Sequence, residues 1–394
     1  MVQRLQGGSS FMKMLRGASN NQRTPQTPGT PQQPHPTDKK VVQPPVLADE
    51  KHMHPTTPQP GTNKLTQMWR HIRRRRDDSF PRHGSASFVL HGEDAMAVGP
   101  RYHIVADGIS TSTHPSNNPA GPSLSPSPSA VLARALVHAV EQVLLHDPPP
   151  VHLADFENMI VRAIISAQAH CRHVSPSMGS TLVVSFVQGK HLFTFSVGDS
   201  KCLVLRKARI AYETLAVMKE FNVPWTVTHH PLRSHMYVVQ RIPLKKCDIV
   251  LTFSDGFGDN VYKDEVLQLV ASAQVTSVHP SDVCSRLVHH ARAFVPADTS
   301  QESALPFAAA AAAAYVARVN EMNHDNKEVH IRKDQLVDRF KSKWPQLLAR
   351  QVLIAKTNTK PGDVSHYSLA QLYRMATLTK NKPDDISVAM LEFG

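Results

Sequence analysis

Short acidic motifs stand at the ends of apolar runs in this 394-residue chain, where folding would bury them. In chain order they are Gly92-Glu93-Asp94-Ala95, Val105-Ala106-Asp107-Gly108, Val197-Gly198-Asp199-Ser200, Ser254-Asp255-Gly256 and Pro383-Asp384-Asp385-Ile386-Ser387-Val388. A carboxylate that interrupts a core strand is costly to bury unless a positive charge pairs with it. No Lys or Arg directly flanks most of these aspartates. The simplest compensation is a bound hard cation, and several converging carboxylates predict a site for two Mg²⁺ or Mn²⁺ ions.

Positive charge is concentrated in the first part of the chain. Residues 1–82 carry 14 Lys or Arg and 5 Asp or Glu, so +9 of the formal net charge of +12 lies there. The rest of the chain is close to neutral and shows no basic, aromatic-rich segment typical of nucleic-acid binding. We therefore expect no nucleic-acid partner.

The cysteines indicate the cellular environment. They are Cys171, Cys202, Cys247 and Cys284. They lie far apart and form no CxxC pair, so we expect reduced thiols in an intracellular protein. Neither a structural zinc site nor a disulfide framework is predicted.

Residues 1–63 are rich in Pro, Gln, Thr and Gly with little apolar periodicity, which predicts a disordered tail. Within the first 23 residues, Arg and Lys alternate with Leu, Phe and Met, and no acid precedes Asp38. This composition is typical of a mitochondrial transit peptide. An ordinary flexible terminus is the alternative, because Gly7-Gly8 would weaken an amphipathic helix. We expect a mitochondrial protein, with the cytoplasm or the nucleus as the alternative location.

Residues 64–82 form a second, basic segment. Apolar residues at helical spacing and a run of arginines make residues 64–76 a candidate amphipathic helix: Leu65, Met68, Trp69, Ile72, Arg70 and Arg73 to Arg76. Such a helix could bind weakly to an anionic membrane, direct nuclear import or touch nucleic acid. A solvated arm before the folded domain explains the same composition, and we favour that simpler interpretation.

From residue 83 to residue 394 the pattern is that of one folded domain. Short apolar runs lie at 86–90, 94–98 and 102–106, strands are predicted at 181–187, 191–197, 201–206, 248–253 and 386–393, and helices at 129–146, 154–171, 261–272, 280–294 and 302–320. This order predicts an α+β fold with two mostly antiparallel sheets covered by helices. Insertions are predicted at about 113–129 and 321–380, and the polyalanine run Ala308 to Ala314 predicts a helix.

The acidic motifs favour one kind of chemistry. Mg²⁺ and Mn²⁺ prefer octahedral oxygen ligands and usually keep several waters. Two such ions close together can activate a water and neutralise phosphate charge, which is most of what phosphoryl transfer requires of a protein. The sequence contains no His-based zinc spacing, GxSxG nucleophile elbow or GxxxxGK[ST] phosphate loop that would offer a competing site.

The order of the motifs resembles one family. GED, VADG, GST (Gly179-Ser180-Thr181), VGDS, a hydrophobic run into SDG and a terminal DDISV follow one another as in the metal-dependent Ser/Thr protein phosphatases of type 2C. The stretch DGF with Asp259-Asn260, and KPDDISV, resemble the short mitochondrial-type branch of that family. The resemblance covers roughly residues 84–320 and 381–394. It implies a four-layer α-β-β-α sandwich with the metal ions in a cleft at one end.

The resemblance implies a role for each acid of the first two motifs. Asp94 and Asp107 match metal-binding aspartates, and Asp107 would bridge the two ions. Glu93 matches an acid that usually holds metal through a water, and Gly108 would give its backbone carbonyl to the second ion. Considered singly, the two aspartates could instead be capping or turn residues, and Glu93 a plain surface acid.

The later motifs complete the implied metal set. Asp255 and Asp384 match the two aspartates on the side of the first ion. Asp199, with Asp255 and Asp259, matches a weaker third-metal site found in parts of the family. The alternatives are a turn residue for Asp199 and a helix N-cap for Asp259. Asp385 is predicted to face solvent or to cap a turn. The implied catalytic residues are Asp94, Asp107, Asp255 and Asp384.

Two positions depart from the pattern of many family members. Val89 stands where many have an Arg that clasps phosphate, and Ile109 where many have a His that could protonate the leaving group. The mitochondrial-type branch also tends to lack both, so activity remains the expectation.

The resemblance implies hydrolysis of phosphoserine and phosphothreonine in proteins by in-line attack of a metal-activated water, without a phosphoenzyme. Phosphorylated proteins would be the partners, and we expect a monomer. One alternative is an inactive pseudophosphatase that binds phosphoproteins or scaffolds a partner. Another is a metal-dependent hydrolase of a small phosphate ester.

Overall fold

The computed structural model describes residues 82–109, 126–275, 278–293, 305–322, 326–341, 352–354, 366–378 and 380–394. The predicted tail at 1–63 and all of the basic segment except Arg82 lie outside the described residues. Residues 110–125, which include most of the first predicted insertion at about 113–129, lie outside them as well.

The described elements come as runs of strands separated by runs of helices. The strands are β1 (Arg82–Phe88), β2 (Ala95–Gly99), β3 (Tyr102–Ala106), β4 (Leu182–Gln188), β5 (His191–Val197), β6 (Lys201–Arg206), β7 (Arg209–Glu213), β8 (Ala216–Glu220), β9 (Val223–Pro224), β10 (Val238–Pro243), β11 (Ile249–Phe253), β12 (Val352–Ile354) and β13 (Ile386–Glu392). The helices are α1 (Pro128–His146), α2 (Leu153–His170), α3 (Asp255–Gly258), α4 (Lys263–Val275), α5 (Pro280–Ala293), α6 (Pro306–Met322), α7 (Lys327–Arg339) and α8 (Leu369–Ala376), with a 3₁₀ turn at Ser234–Met236.

Two antiparallel sheets form the centre of the fold. The first sheet has the strand order β1-β13-β11-β6-β7, and the second has the order β10-β5-β4-β3-β2. Strands such as β4 and β11 are buried almost throughout and are nearly continuous apolar runs in the sequence. Continuous burial is expected where one face of a sheet packs on the other sheet and the opposite face is covered by helices.

Three clusters of buried side chains define the layers. Val105, Val183 and Val250 belong to the core between the two sheets. The core formed by α1 and α2 on the second sheet includes Leu136 and Phe156. The core formed by α4 and α5 on the first sheet includes Leu251, Val266, Leu287 and Met390. This arrangement confirms the predicted four-layer α-β-β-α sandwich.

A smaller unit lies between α5 and β13 in the sequence. Helices α6, α7 and α8 share a core that includes Tyr315, Leu336 and Leu372. The polyalanine run is helical, as predicted, and most of its side chains are buried in this core. Besides the two main sheets, the described residues form a three-stranded sheet with the strand order β12-β8-β9.

Helix α1 begins inside the segment predicted as the first insertion. Pro128 occupies its first turn, and the Ser127 side chain caps it by accepting from the Ala130 backbone N–H at 3.1 Å. Among the described helices, α1 alone has the length and apolar composition of a membrane span. Its buried face, which includes Leu132 and Val140, packs in the core on the second sheet, as expected for a core helix.

Candidate active site

The strand registers bring the acidic motifs to one end of the sandwich. Ala95 pairs with Ala106, so the residues just outside that pair, Asp94 and Asp107, lie at the same end of the β2–β3 hairpin. In the other sheet Phe253 pairs with Val388, which places the end of β11 beside the beginning of β13. Asp255 and Asp384 flank that junction.

The second sheet carries a further acid to the same end. Leu182 pairs with Val197, so Asp199 follows β5 where β4 begins. The GST motif connects these strand ends. The Thr181 backbone N–H donates to the Asp107 carbonyl at 2.8 Å, and the Thr181 hydroxyl lies 2.8 Å from that of Ser200. The motif therefore fixes the Asp107 turn against the Asp199 turn.

Asp107 lies at the centre of the acidic cluster, 8% exposed. Its burial raises its pKa well above the usual range. The carboxylates that raise it further belong to Asp255, Asp94, Asp384 and Asp199. Each of these acids is thus close enough to repel a charge on Asp107. The structure brings together the four predicted catalytic aspartates and Asp199.

Several carboxylate oxygens of this cluster have no protein partner. Both oxygens of Asp94, and Oδ1 of Asp199 and of Asp255, are buried without a hydrogen bond among the described residues. Burial raises the pKa of Asp94 to about 7, although the Ser387 and Ser254 hydroxyls lie near enough to lower it somewhat. Burial, with repulsion from Asp255, raises the pKa of Asp199 to about 8. Unpaired buried oxygens of this kind are compensated either by a proton or by a bound cation.

Lys382 supplies one positive charge to the cluster. Its Nζ lies 2.8 Å from Asp255 Oδ2, 2.8 Å from Asp259 Oδ2 and 3.1 Å from Asp384 Oδ2. Burial alone would lower the pKa of Lys382, but these carboxylates hold it well above its usual value.

Two of the carboxylates around Lys382 have pKa values shifted in opposite directions. Burial would raise the pKa of Asp255, but the Lys382 ammonium outweighs it and holds that pKa below the usual range. Burial and the Asp255 charge raise the pKa of Asp384 to about 6 in spite of the lysine. Lys382 belongs to the KPDDISV motif, but the sequence alone predicts no role for it, because its partners Asp255 and Asp259 lie in a distant segment.

Asp385 binds the loop that carries the first acidic motif. Its Oδ1 accepts from the backbone N–H groups of Leu90 at 2.5 Å and His91 at 2.7 Å, and its Oδ2 accepts from Glu93 at 2.6 Å and Asp94 at 3.1 Å. Burial would raise the pKa of Asp385, and these bonds hold it below its usual value. The predicted solvent-facing position is wrong, since Asp385 is 2% exposed. The alternative prediction, a capping role, describes what the structure shows.

The N-terminus of α1 supports the same loop. The Ser127 hydroxyl donates to Glu93 Oε1 at 2.7 Å, and Arg134 Nη2 donates to the Gly92 carbonyl at 3.3 Å. Glu93 is therefore held by α1 and is not a plain surface acid. Gly108 donates its N–H to the Glu93 carbonyl at 3.2 Å, and a Cβ at position 108 would come within 2.9 Å of that oxygen. Only glycine fits this close approach.

The two departures from the family pattern lie beside the cluster. The Val89 side chain is 65% exposed, next to the loop that Asp385 binds. Ile109 N–H donates to the Gly179 carbonyl at 2.8 Å, so the residue after Asp107-Gly108 is fixed by its backbone. Lys201 follows the VGDS motif directly but forms an ion pair with Glu213 at 2.5 Å.

The residues present fit a hard cation. Their donors are carboxylate oxygens, the ligands that Mg²⁺ and Mn²⁺ prefer, and several of those oxygens lack any other partner. Within the described ranges no three acidic, histidine or cysteine side chains stand as a closed coordination shell. Asp94, Asp107, Asp255 and Asp384, with the Gly108 carbonyl and Glu93, are the groups that would hold the cation.

Comparison with known proteins decides the family. The sequence profile described as Protein phosphatase 2C matches residues 90–295, more than half of the chain. The chain belongs to the protein phosphatase 2C family. The matched range spans Glu93 to Asp259, and the terminal Asp384 lies beyond it.

Individual relatives match parts of the chain. It is 26% identical over 206 residues to "Probable protein phosphatase 2C 71" of Oryza sativa subsp. japonica, covering 51% of this chain and 40% of that protein. It is 29% identical over 157 residues to "Protein phosphatase PTC7 homolog fig" of Drosophila melanogaster, covering 36% of this chain and 49% of that protein. The matches thus span less than half the length of these relatives.

Some solved structures of phosphatases are similar to this chain. The photosystem II phosphatase PBCP matches 80% of this chain and 99% of its own, with a TM-score of 0.48 and 17% identity. The catalytic domain of the serine threonine protein phosphatase PstP, solved with 2 manganese ions, matches 54% of this chain and 91% of its own, with a TM-score of 0.43 and 18% identity.

Proposed function

We propose that this protein is a metal-dependent phosphatase that hydrolyses phosphoserine and phosphothreonine in proteins. The observation that carries the proposal is the convergence on Asp107 of carboxylates whose buried oxygens have no protein partner. Such a cluster is costly to keep ionised unless cations offset its charge, and Lys382 supplies only one. Membership of the protein phosphatase 2C family supports the reaction class. The intact set of acids argues against the pseudophosphatase alternative.

Different residues at this site would hold the ions and orient the ligands. Asp107 is the residue that the resemblance implies would bridge two ions, and the charges of Asp255 and Asp384 from the first sheet act on it. Asp385 and Ser127 orient the loop that presents Glu93 and Asp94. When bound, two Mg²⁺ or Mn²⁺ ions would supply the activated water and offset the charge on the phosphoryl group.

The proposal extends to the substrate, the cell compartment and the domain limits. Phosphorylated proteins are the proposed partners and the chain is proposed to act as a monomer, with 83–394 as the catalytic domain. The mitochondrion is the proposed location, supported by the composition of residues 1–23 and by the resemblance to the mitochondrial-type branch. Weak contact of residues 64–76 with an anionic membrane is a secondary possibility that the arginines there support.

A phosphate-release assay tests the proposed reaction. Purified full-length chain is incubated with a phosphothreonine peptide, with Mn²⁺ and with a chelator. We expect release that requires Mn²⁺ and that falls by at least about 100-fold in Asp107→Asn, the scale of loss typical when a charge-stabilising group is removed. Asp334→Asn is the matched control, since Asp334 is exposed on α7, away from the acidic cluster. Folded protein that releases no phosphate with either Mn²⁺ or Mg²⁺ would contradict the proposal and favour a binding module.

A further inference from the structure

Lys382 holds a position that the family resemblance assigns to metal. Asp199, Asp255 and Asp259 are the acids that the resemblance implies for a weaker third-metal site. In the structure the Lys382 ammonium lies 2.8 Å from an oxygen of Asp255 and 2.8 Å from an oxygen of Asp259. The Lys382 charge also lowers the pKa of Asp199, so the ammonium interacts electrostatically with all three acids of the expected third-metal site.

The Lys382 ammonium and a divalent ion cannot both occupy the space between the Asp255 and Asp259 carboxylates. An ion that ligated the facing oxygens of Asp255 and Asp259 would lie about 2.1 Å from each. That position falls in the space between the two carboxylates that the Lys382 Nζ fills. Two positive charges at such a distance would also repel each other strongly in a buried site.

The Asn260 side chain holds the main chain of Lys382 through both its N–H and its carbonyl. The Lys382 N–H donates to Asn260 Oδ1 at 2.8 Å, and its carbonyl accepts from Asn260 Nδ2 at 3.0 Å. Asn260 is 1% exposed and also donates to the Gly256 carbonyl at 2.7 Å. These bonds tie the lysine to the same turn that carries Asp255 and Asp259, so its side chain is directed at the acids from a fixed backbone.

The beginning of α6 covers the lysine. The Phe307 ring, at the beginning of α6, lies 5.2 Å from the Lys382 ammonium, within range of a cation–π contact. The Phe307 backbone N–H donates to the Asp259 carbonyl at 3.1 Å, and the residue is 4% exposed. The beginning of α6 thus packs against both Lys382 and Asp259.

We propose that Lys382 is a resident cation that replaces the third metal ion, so that the centre takes two ions at most. This inference rests on the proposed metal-dependent function for the two remaining ions. The lysine also acts as a positioning residue: by engaging Oδ2 of Asp255, it leaves Oδ1 of that carboxylate, which has no protein partner among the described residues, for the ions. It likewise engages Oδ2 of Asp384, whose Oδ1 accepts the Asp385 backbone N–H at 3.0 Å. Asp259 then serves the lysine and is not a metal ligand.

Mn²⁺ binding to the full-length chain tests the inference without reference to activity. Bound Mn²⁺ is counted by calorimetry and by electron paramagnetic resonance for wild type, Lys382→Met and the double variant Lys382→Met/Asp259→Asn. We expect Lys382→Met to bind one more ion per chain than wild type, and the double variant to lose that ion again. Lys380→Met, an exposed neighbour in the same segment, should bind as wild type does.

The Mn²⁺ counts of wild type and of the Lys382 variants test the inference separately from the proposed function. Lys382→Met that binds no more Mn²⁺ than wild type, or wild type that binds three ions at this centre, would overturn it. A wild-type chain that binds no Mn²⁺ contradicts the proposed function alone. Should Lys382→Met fail to fold by circular dichroism, Asp259→Asn in the wild-type background gives the answer. That variant should keep the wild-type number of ions, and loss of an ion would overturn the inference.

Discussion

Asp385 orients residues of the proposed metal site without being one of the proposed ligands. Its carboxylate accepts hydrogen bonds from four backbone N–H groups in the loop containing Glu93 and Asp94. The neighbouring Asp384 faces the cluster. Adjacent aspartates therefore have separate tasks: one contributes to the charged centre, and the other fixes the loop opposite.

Removal of the Asp385 carboxylate should loosen that loop. In Asp385→Ala, four partly buried N–H groups lose an ionised acceptor, and hydrogen bonds to charged groups contribute about 1.5–3 kcal/mol each at most. Because water replaces some of them, we expect a loss of about 3 kcal/mol in the free energy of unfolding and weaker Mn²⁺ binding. Urea denaturation and calorimetry measure the two effects, with Asp334→Ala as control. Wild-type stability and Mn²⁺ affinity in Asp385→Ala would contradict the assigned role.

His103 links the stability of the fold to pH. It is fully buried between the sheets, with Nδ1 3.1 Å from the Thr252 hydroxyl. Burial, assisted by His83, lowers its pKa from 6.5 to about 3. The unfolded chain therefore binds a proton between these values while the folded chain does not. The contribution of His103 is complete above pH 6.5 and is lost as the pH falls towards 3.

This linkage predicts a measurable slope. Between pH 6 and pH 4, His103 should reduce the free energy of unfolding by up to about 1.4 kcal/mol for each pH unit. Urea denaturation of wild type and His103→Gln across this range isolates the effect, since the other titrating groups are common to both. Equal slopes for the two proteins would show that His103 does not titrate in this way.

At the scale of elements, the ends of strands and helices form the site. The hairpin β2–β3, the end of β5, and the β11–β13 pair each deliver one acid or two, and the first turn of α1 holds the loop before β2. Ser127 links α1 to that loop, because its hydroxyl both caps the helix and donates to Glu93.

The dual role of Ser127 gives a test with an internal control. Ser127→Ala should lower the free energy of unfolding by about 1 kcal/mol, as loss of an N-cap does. It should also weaken Mn²⁺ binding, because Glu93 loses its donor. Ser127→Thr keeps the hydroxyl and should retain most of both properties. Calorimetric Mn²⁺ titration and urea denaturation report them separately, and unchanged Mn²⁺ affinity in Ser127→Ala would separate the cap from the site.

Much of this element structure can be predicted from the sequence, and the exceptions have local causes. The long helices and the apolar strands β4, β5, β6 and β11 are predicted close to their observed bounds. Strand β7 is not, because the Lys207-Ala208 turn before it has φ of 50° and 60° without the Gly or Asn that signals such a turn. Strand β8 is missed as well; at five residues, AVMKE, it gives too short an apolar run to be recognised.

For the site, the sequence indicates the acids but not their supports. Each aspartate stands in a local motif, so its position is visible without the fold. Lys382, Asp385 and Ser127 act on residues far away in the sequence, and no local pattern reports such pairing. The charge balance of the cluster therefore emerges only when the two sheets are brought together.

At the scale of the whole molecule, the acidic centre and the basic tail are separate features. Residues 1–82 hold most of the net positive charge, whereas the acids lie in the sandwich that begins at Arg82. The described contacts around the cluster all come from residues after that point. Catalysis and any targeting function should thus be separable.

Deletion of residues 1–81 tests this separation. We expect kcat/KM for a phosphothreonine peptide to stay within about twofold of the full-length value, because no group of the acidic cluster is removed. A fluorescent fusion of each form reports location in cells, and the shortened form should lose mitochondrial import. Loss of catalysis in a folded shortened chain would show that the tail contributes to the site.

The central claim, that carboxylates from both sheets form one two-ion centre, is tested most directly by anomalous diffraction at the manganese edge. Crystals of the full-length chain grown with Mn²⁺ should show two peaks on either side of Asp107. One should adjoin Asp255 and Asp384, and the other should adjoin the Gly108 carbonyl. No peak at Asp107, or peaks only at surface acids such as Asp334, would contradict the claim.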